Sequence, residues 1–333
     1  MSQFRNLVFE GGGVKGIAYA GALRELEAQN ILPDIKRVAG TSAGAITAVL
    51  VALGATSKDV EQIVGGTNFK SFMDAPWGVI GDANRLVGDY GIYAGDTFSN
   101  WMRKQIYAFS GDGNLTFRKM AEMKSSRPKF KDLYLVGTNL SLQLPLVLSL
   151  EHTPDCTLWF AARISMSIPL FFVAVRDSED KAIWVDGGVS WNYPLDVFDD
   201  TKFNPAKGAA EKPDYTRYDE NHIYNKETLG FRLDTRDQIQ AEKDHWKSPP
   251  VPIENILDYS KALIGFMNEM ANRLHLHQND WHRTIFIETG SIGTTQFDLS
   301  AGQIQMLITN GSKGVQDYFT WFNDPKSDPL NRV

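Results

Sequence analysis

The chain has 333 residues, 43% of them hydrophobic and 22% charged, with a formal net charge of −6 and a pI near 5.6. That is the composition of a globular chain long enough for a large core, and it argues against disorder. The acidic balance argues against a nucleic-acid partner, whose phosphates call for a basic face, and makes any membrane contact a local matter.

Leu7 to Phe9 reads as a short buried strand, followed by a glycine run and a helix from Gly16 to Gln29 with Ala18, Ala22, Leu23 and Leu26 on one face. Ile35 to Ala39 is a second strand and Ala43 to Leu53 a second helix, so the chain opens β-α-β-α and a mainly parallel sheet is expected. The uncharged run from Val38 to Ala55 reaches the lower edge of a membrane span, but its glycines, threonines and serine favour a buried small-residue helix. From Phe69 to Gly95 the periodicity loosens. Phe69, Phe72, Trp77, Val79 and Ile80 are candidates there to line an apolar channel, with ordinary core packing the equal alternative. Asp96 caps a helix with Phe98, Trp101, Met102 and Ile106 inward, and Thr116 caps another.

Leu133 to Thr138 and Leu146 to Leu150 are strand-like, and a helix from Asp155 to Ser167 stops before Pro169. Phe171 to Val175 and Ala182 to Val185 flank the polar RDSEDK as a hairpin. Residues 199–222 read as a polar surface excursion. Leu229 to Leu233 and Thr284 to Ile287 are further strands, separated by a long amphipathic helix from Ile253 to Asp280, and a last helix covers residues 300–322. No repeat and no linker divides the chain, so residues 1–333 are expected to form one domain.

Gly40-Thr41-Ser42-Ala43-Gly44 matches G-x-S-x-G where a strand gives way to a helix, the setting of a nucleophile elbow. In a right-handed β-α-β unit the loops after the first two strands leave the sheet at the same end, so Gly11, Gly12 and Gly13 should neighbour Ser42. Backbone N–H groups of that loop would then face the oxyanion formed when Ser42 attacks an ester. Gly11, Gly13 and Gly16 also satisfy a dinucleotide fingerprint, but the acid that should end the second strand to hold a ribose is missing from Ala39 to Ser42. In Trp184 to Pro194, WVDGGVSWNYP, Asp186 ends a strand whose apolar approach suits a buried base with a raised pKa, although a strand-end Asp-Gly turn fits as well.

The ordered set Gly11-Gly12-Gly13-Val14-Lys15-Gly16, Gly40-Thr41-Ser42-Ala43-Gly44 and Asp186-Gly187-Gly188 resembles the patatin-like phospholipases. Ala162 to Pro169 with Phe171, and Asn192 with Pro194, are similar to two further blocks of that family, so the likeness spans most of the chain. Glu10 stands where many members carry Asp or another small polar residue.

The resemblance implies a three-layer α/β/α fold and a lipid acyl hydrolase of the phospholipase A or lysophospholipase type. It also implies Ser42 as nucleophile, Asp186 as general base without histidine, an oxyanion hole at Gly11, Gly12 and Gly13, and no cofactor or metal. Lys15, Gly16 and Ala43 are candidate substrate contacts, Lys15 toward a lipid phosphate, though a solvated lysine fits it better. The implied substrate is a phospholipid or lysophospholipid met at a membrane surface; an activator is allowed by the resemblance, and the oligomeric state is left open.

Two rivals stand beside this reading: a Ser-His-Asp α/β-hydrolase esterase, whose order Asp186 and the later histidines satisfy formally, and a non-catalytic lipid-binding module. The basic residues Arg118, Lys119, Lys124, Arg127, Lys129 and Lys131 are a candidate contact with anionic lipid, a solvated loop being the alternative. The lone Cys156 fits a reducing compartment, and the start, MSQFRNLVFEGGG, is too short in apolar residues for a signal peptide. A cytoplasmic protein is expected, with export that removes nothing as the other option.

Overall fold

A computed structural model describes residues 2–74, 88–177, 181–204, 222–235, 253–254, 256–276 and 278–333. Its first strand, β1 (Asn6–Phe9), is buried throughout; a 3-10 turn, Gly13–Ile17, then leads into α1 (Ala18–Ala28). β2 (Arg37–Gly40) and α2 (Ala43–Ala52) follow as expected, and α2 is too short to span a membrane. No helix among the described residues is long and apolar enough to do so.

Next come α3 (Ser57–Gly66), β3 (Gly91–Tyr93), α4 (Asp96–Ser110), α5 (Phe117–Met123), β4 (Asp132–Asn139) and β5 (Leu144–Ser149). They are followed by α6 (Leu158–Ser165), β6 (Leu170–Phe172), β7 (Val175–Arg176), β8 (Ile183–Asp186) and the single turn α7 (Gly188–Trp191). β9 (Thr228–Asp234), α8 (Ile256–His275), β10 (Thr284–Glu288) and α9 (Ala301–Asn323) complete the order.

The main sheet runs β10-β9-β1-β2-β4-β8-β7, with β5 on β4. β10, β9, β1, β2 and β4 are mutually parallel, whereas β5 and β8 pair antiparallel with β4, and β7 pairs antiparallel with β8. Strand alternation divides the core. Leu7, Phe9, Val38, Leu135, Phe231 and Ile285 join the cluster built with α1, α2, α6 and α9. Val8, Ala39 and Tyr134 point to the other face, where Tyr193, Leu195, Phe198 and Phe203 cover them. The result is the expected α/β fold, a mainly parallel sheet between two layers.

Three boundaries differ most from expectation. Residues 171–175 do not form one hairpin arm: β6 pairs in parallel with β3 in a separate two-stranded sheet, and only β7 meets β8. The helix expected from Asp155 begins at Leu158, because Pro154, Asp155 and Cys156 are held in turns whose backbone meets Arg118, Phe117 and Thr153. The helix expected to reach Asp280 ends at His275, and Gln278–Arg283 winds as a 3-10 turn. Residues 205–221 of the expected excursion, and Trp77, Val79 and Ile80, lie outside the described residues.

Candidate active site

Two strands meeting end to end make the site. β5 pairs β4 from Tyr134 to Asn139, overlapping the pairings of both β2 and β8, so those two share the opposite edge of β4. β2 runs parallel to β4 and stops with Gly40 opposite Leu135; β8 runs antiparallel and stops with Asp186 opposite Gly137. Their ends are therefore about 7 Å apart along β4. A side chain added at Gly187 would stand 3.0 Å from Thr41 Cγ2, which brings the turn after Asp186 against the turn that carries Ser42.

Ser42 is buried and holds φ 53, ψ −123, a conformation that L residues rarely adopt and that a tightly determined turn must enforce. Its N–H donates to Ser165 Oγ at 3.1 Å, and that hydroxyl donates to the Val136 carbonyl at 2.6 Å, tying the turn to α6 and β4. Thr41 Oγ1 donates to the Trp191 carbonyl at 3.1 Å on the segment after Asp186. The elbow needs glycine at its far end because a Cβ on Gly44 would lie 2.3 Å from the Phe9 carbonyl oxygen.

Asp186 is buried, and burial pushes its carboxyl up to about 7. The Gly188 N–H donates to Oδ1 at 2.7 Å and opposes that rise, as does the Ser42 hydroxyl. The Ser42 contact falls short of a formed hydrogen bond, so the buried Oδ2 has no hydrogen-bond partner among the described residues. Thr138 Oγ1 donates to the Asp186 carbonyl at 2.9 Å and fixes the strand end.

The glycine loop stands beside the elbow, because Phe9 and Gly40 are in register. A Cβ on Gly11 would lie 3.0 Å from Ser42 Cβ. The expected three donors reduce to two, since the Gly11 N–H already donates to the Asn192 carbonyl at 3.0 Å. The Gly12 and Gly13 amides carry no hydrogen bond among the described residues. Gly16 packs on Ala43, whose Cβ an added methyl would meet at 3.0 Å, and Ala43 lines the cavity at Ser42. Lys15 departs from the solvated expectation: it is largely withdrawn from water, which lowers its pKa, while Glu10 and Asp234 act to raise it.

Gly13, Val14, Ile46, Phe69, Phe72, Met166, Phe172 and Phe297 also line that cavity, which measures about 40 Å³. This is close to the volume of one water. None of the described histidines lines it: His152 Nδ1 meets Ser149 Oγ, and His282 Nδ1 accepts from the Leu330 N–H. His245, His277 and the side chain of His275 lie outside the described residues.

Most of the basic run has partners within the chain. Arg118 pairs with Asp155, Lys119 with Asp112 and Lys124 with Asp132, while Arg127 and Lys131 donate to backbone carbonyls. These residues flank the start of β4, the end of the sheet opposite Ser42.

A profile of the patatin-like phospholipases matches residues 7–199, more than half of the chain and every element just described up to the turn after Asp186. The chain belongs to this family. The uncharacterized protein R571 of Acanthamoeba polyphaga mimivirus is 29% identical over 321 residues, covering 95% of this chain and 93% of its own. The probable lipid hydrolase 463L of Invertebrate iridescent virus 6 is 21% identical over 58% of this chain and 63% of its own. The crystal structure of VipD from Legionella pneumophila shares the fold, with a TM-score of 0.60 at 17% identity over 96% of this chain and 67% of that one.

In this patatin-like chain the residue that sequence reasoning set aside is Glu10. It is buried directly before the glycine loop. Asn192 and Asn272 donate to its Oε1 at 3.1 and 2.7 Å, and the Leu233 N–H donates to Oε2 at 2.7 Å. One carboxyl thus ties the loop to the segment after Asp186, to β9 and to α8. Burial raises its pKa; the Arg232 guanidinium, itself within 3.2 Å of Asp234, acts against that rise. The visible signal was Arg232 and Asp234 inside the otherwise apolar strand LGFRLD, since buried charges need partners.

Proposed function

We propose that the chain hydrolyses acyl esters of phospholipids or lysophospholipids through a Ser42 acyl-enzyme. Family membership supports lipid acyl hydrolysis in general, and the named lipid hydrolase among the relatives agrees with it. The observation that carries the finer reading is the buried Asp186 Oδ2 beside Ser42, which among the described residues has no hydrogen-bond partner and no imidazole lining its cavity.

The carboxylate takes the Ser42 proton as Oγ attacks the ester carbonyl, and the Gly12 and Gly13 amides receive the oxyanion. Collapse of the tetrahedral intermediate expels the alcohol, which leaves with the proton held on Asp186. Water then attacks the acyl-enzyme, giving its proton to Asp186, and the fatty acid departs as the serine hydroxyl is restored. With a base whose pKa is about 7, the rate should rise with pH through neutrality and level off above it.

A fluorophosphonate probe tests the assignment. Wild type should label covalently, Ser42→Ala should not, and Asp186→Asn should label far more slowly. A labelled Ser42→Ala protein, or loss of labelling in a His245, His275 or His277 variant, would return the reading to a different nucleophile or to a Ser-His-Asp triad.

A further inference from the structure

The chain from Leu133 to Leu150 holds no charged residue, and its middle forms the tip of the β4–β5 hairpin. At that tip Leu140 is 44% exposed, Leu142 59% and Leu144 52%. Three leucines within five residues, all facing outward with only Ser141 and Gln143 between them, form a local apolar patch that a solvated turn does not need. Three of the tip's polar contacts are meanwhile turned back onto the protein. The Leu140 N–H donates to the Ile183 carbonyl at 2.8 Å, the Leu142 N–H to Asn139 Oδ1 at 3.0 Å, and the Ile183 N–H to Ser141 Oγ at 3.0 Å. A loop entering lipid must satisfy its backbone internally in this way.

Position selects the occupant. β4 is parallel to β2, so its C-terminal end is the end at which Ser42 emerges. Asp186 is level with Gly137, and Leu140 lies three residues further on, about 10 Å beyond the carboxyl along the strand. The outer edge of β5 is unpaired among the described residues, but Pro145, opposite Thr138, removes a donor from the strand just where the leucines are most exposed. Proline on an edge strand blunts pairing with another chain. The basic run that could draw the protein to anionic lipid lies at the other end of the sheet, where Arg118, Lys119 and Lys124 pair with carboxylates of the same chain.

The geometry points to the β4–β5 tip, Leu140, Leu142 and Leu144, as an apolar anchor that enters the acyl region of a lipid surface and sets the Ser42 end of the sheet against it. This rests on the proposed lipid substrate. Attachment is driven by removal of leucine surface from water and does not require anionic headgroups.

The test uses the full chain, vesicles of uncharged-on-balance phosphatidylcholine, and the triple variant Leu140→Ser, Leu142→Ser, Leu144→Ser. Sedimentation should show wild type bound, with little change when salt is raised, and the variant bound about 30-fold or more less tightly. Hydrolysis of a short-chain, water-soluble ester should be equal in both, which reports an intact fold and site. Equal vesicle binding by variant and wild type overturns the anchor, as does wild-type binding confined to anionic vesicles at low salt. A wild-type dimer that the variant dissolves, without vesicle binding, overturns it in favour of a second copy. If neither protein cleaves the soluble ester while vesicle binding still follows the leucines, the anchor stands and the hydrolase reading fails.

Discussion

Asp186 and Glu10 are two carboxylates within one core, both almost fully buried and both shifted upward chiefly by burial. They differ in what surrounds the oxygens. Glu10 receives three donors over its two oxygens, whereas Asp186 receives one, and its second oxygen is left beside a serine hydroxyl. Burial alone therefore does not distinguish a chemical acid from an architectural one. A saturated carboxylate can gain a proton only by giving up a partner, while a half-open one has a site ready for it.

The comparison is most easily broken by removing the chemistry. Ser42→Ala should cost at least about 10,000-fold in kcat on a soluble ester, Asp186→Asn should cost a comparable factor, and both should keep a native circular-dichroism spectrum. A fully active Asp186→Asn protein would end the distinction. Next in size is Gly13→Ala: its φ of +57 is left-handed, and a Cβ there would lie 1.9 Å from the Thr294 carbonyl oxygen, so the loop must shift and drag its amides with it. A kcat loss of about 100- to 1,000-fold with KM little changed is expected.

Glu10→Gln sharpens the architectural side. The amide offers one acceptor oxygen where three donors converge and sets an NH2 against a donor, so a stability loss of about 3 kcal/mol is expected in denaturant titration. The midpoint of the pH–rate profile should stay with Asp186. If Glu10→Gln instead folds normally and moves that midpoint, Glu10 belongs to the chemistry.

Much of this site was legible because glycine-flanked motifs carry their own geometry. The G-x-S-x-G turn and the first glycine loop had to lie together once two strands were parallel neighbours, and register places Phe9 beside Gly40. The approach of Asp186 was not derivable in that way. It depends on β8 running antiparallel along the same edge of β4 that β2 leaves free, a pairing between residues far apart in the chain with no local signal. Glu10 was passed over for a related reason, since its partners Asn192, Leu233 and Asn272 come from three distant segments. The basic run looked like a patch because sequence shows charges without the carboxylates that meet them. Asp155, Asp112 and Asp132 do so here.

The smallest expected effect is a gain. Asp186 is raised from an ordinary value near 3.8 to about 7, so between those values the folded chain holds a proton that the unfolded chain has released. The stability this confers is complete below about pH 4 and is lost as pH rises through 7, above which the ionised buried carboxylate is a fixed cost. Asp186→Asn never ionises and escapes that cost. Linkage over about three pK units sets an upper bound of about 4 kcal/mol. The new amide must itself be buried, with few acceptors beyond the Ser42 hydroxyl, which reduces the net gain to about 1–2 kcal/mol. Glu10, Asp196, Asp199 and Asp234 also have raised values, but they are common to both proteins and cancel in the difference. The inactive variant should thus unfold at higher denaturant than wild type at pH 8 and lose that advantage at pH 4. A constant difference across that range would mean that Asp186 does not titrate near neutrality, and with it the half-open carboxyl would lose its claim to be the base.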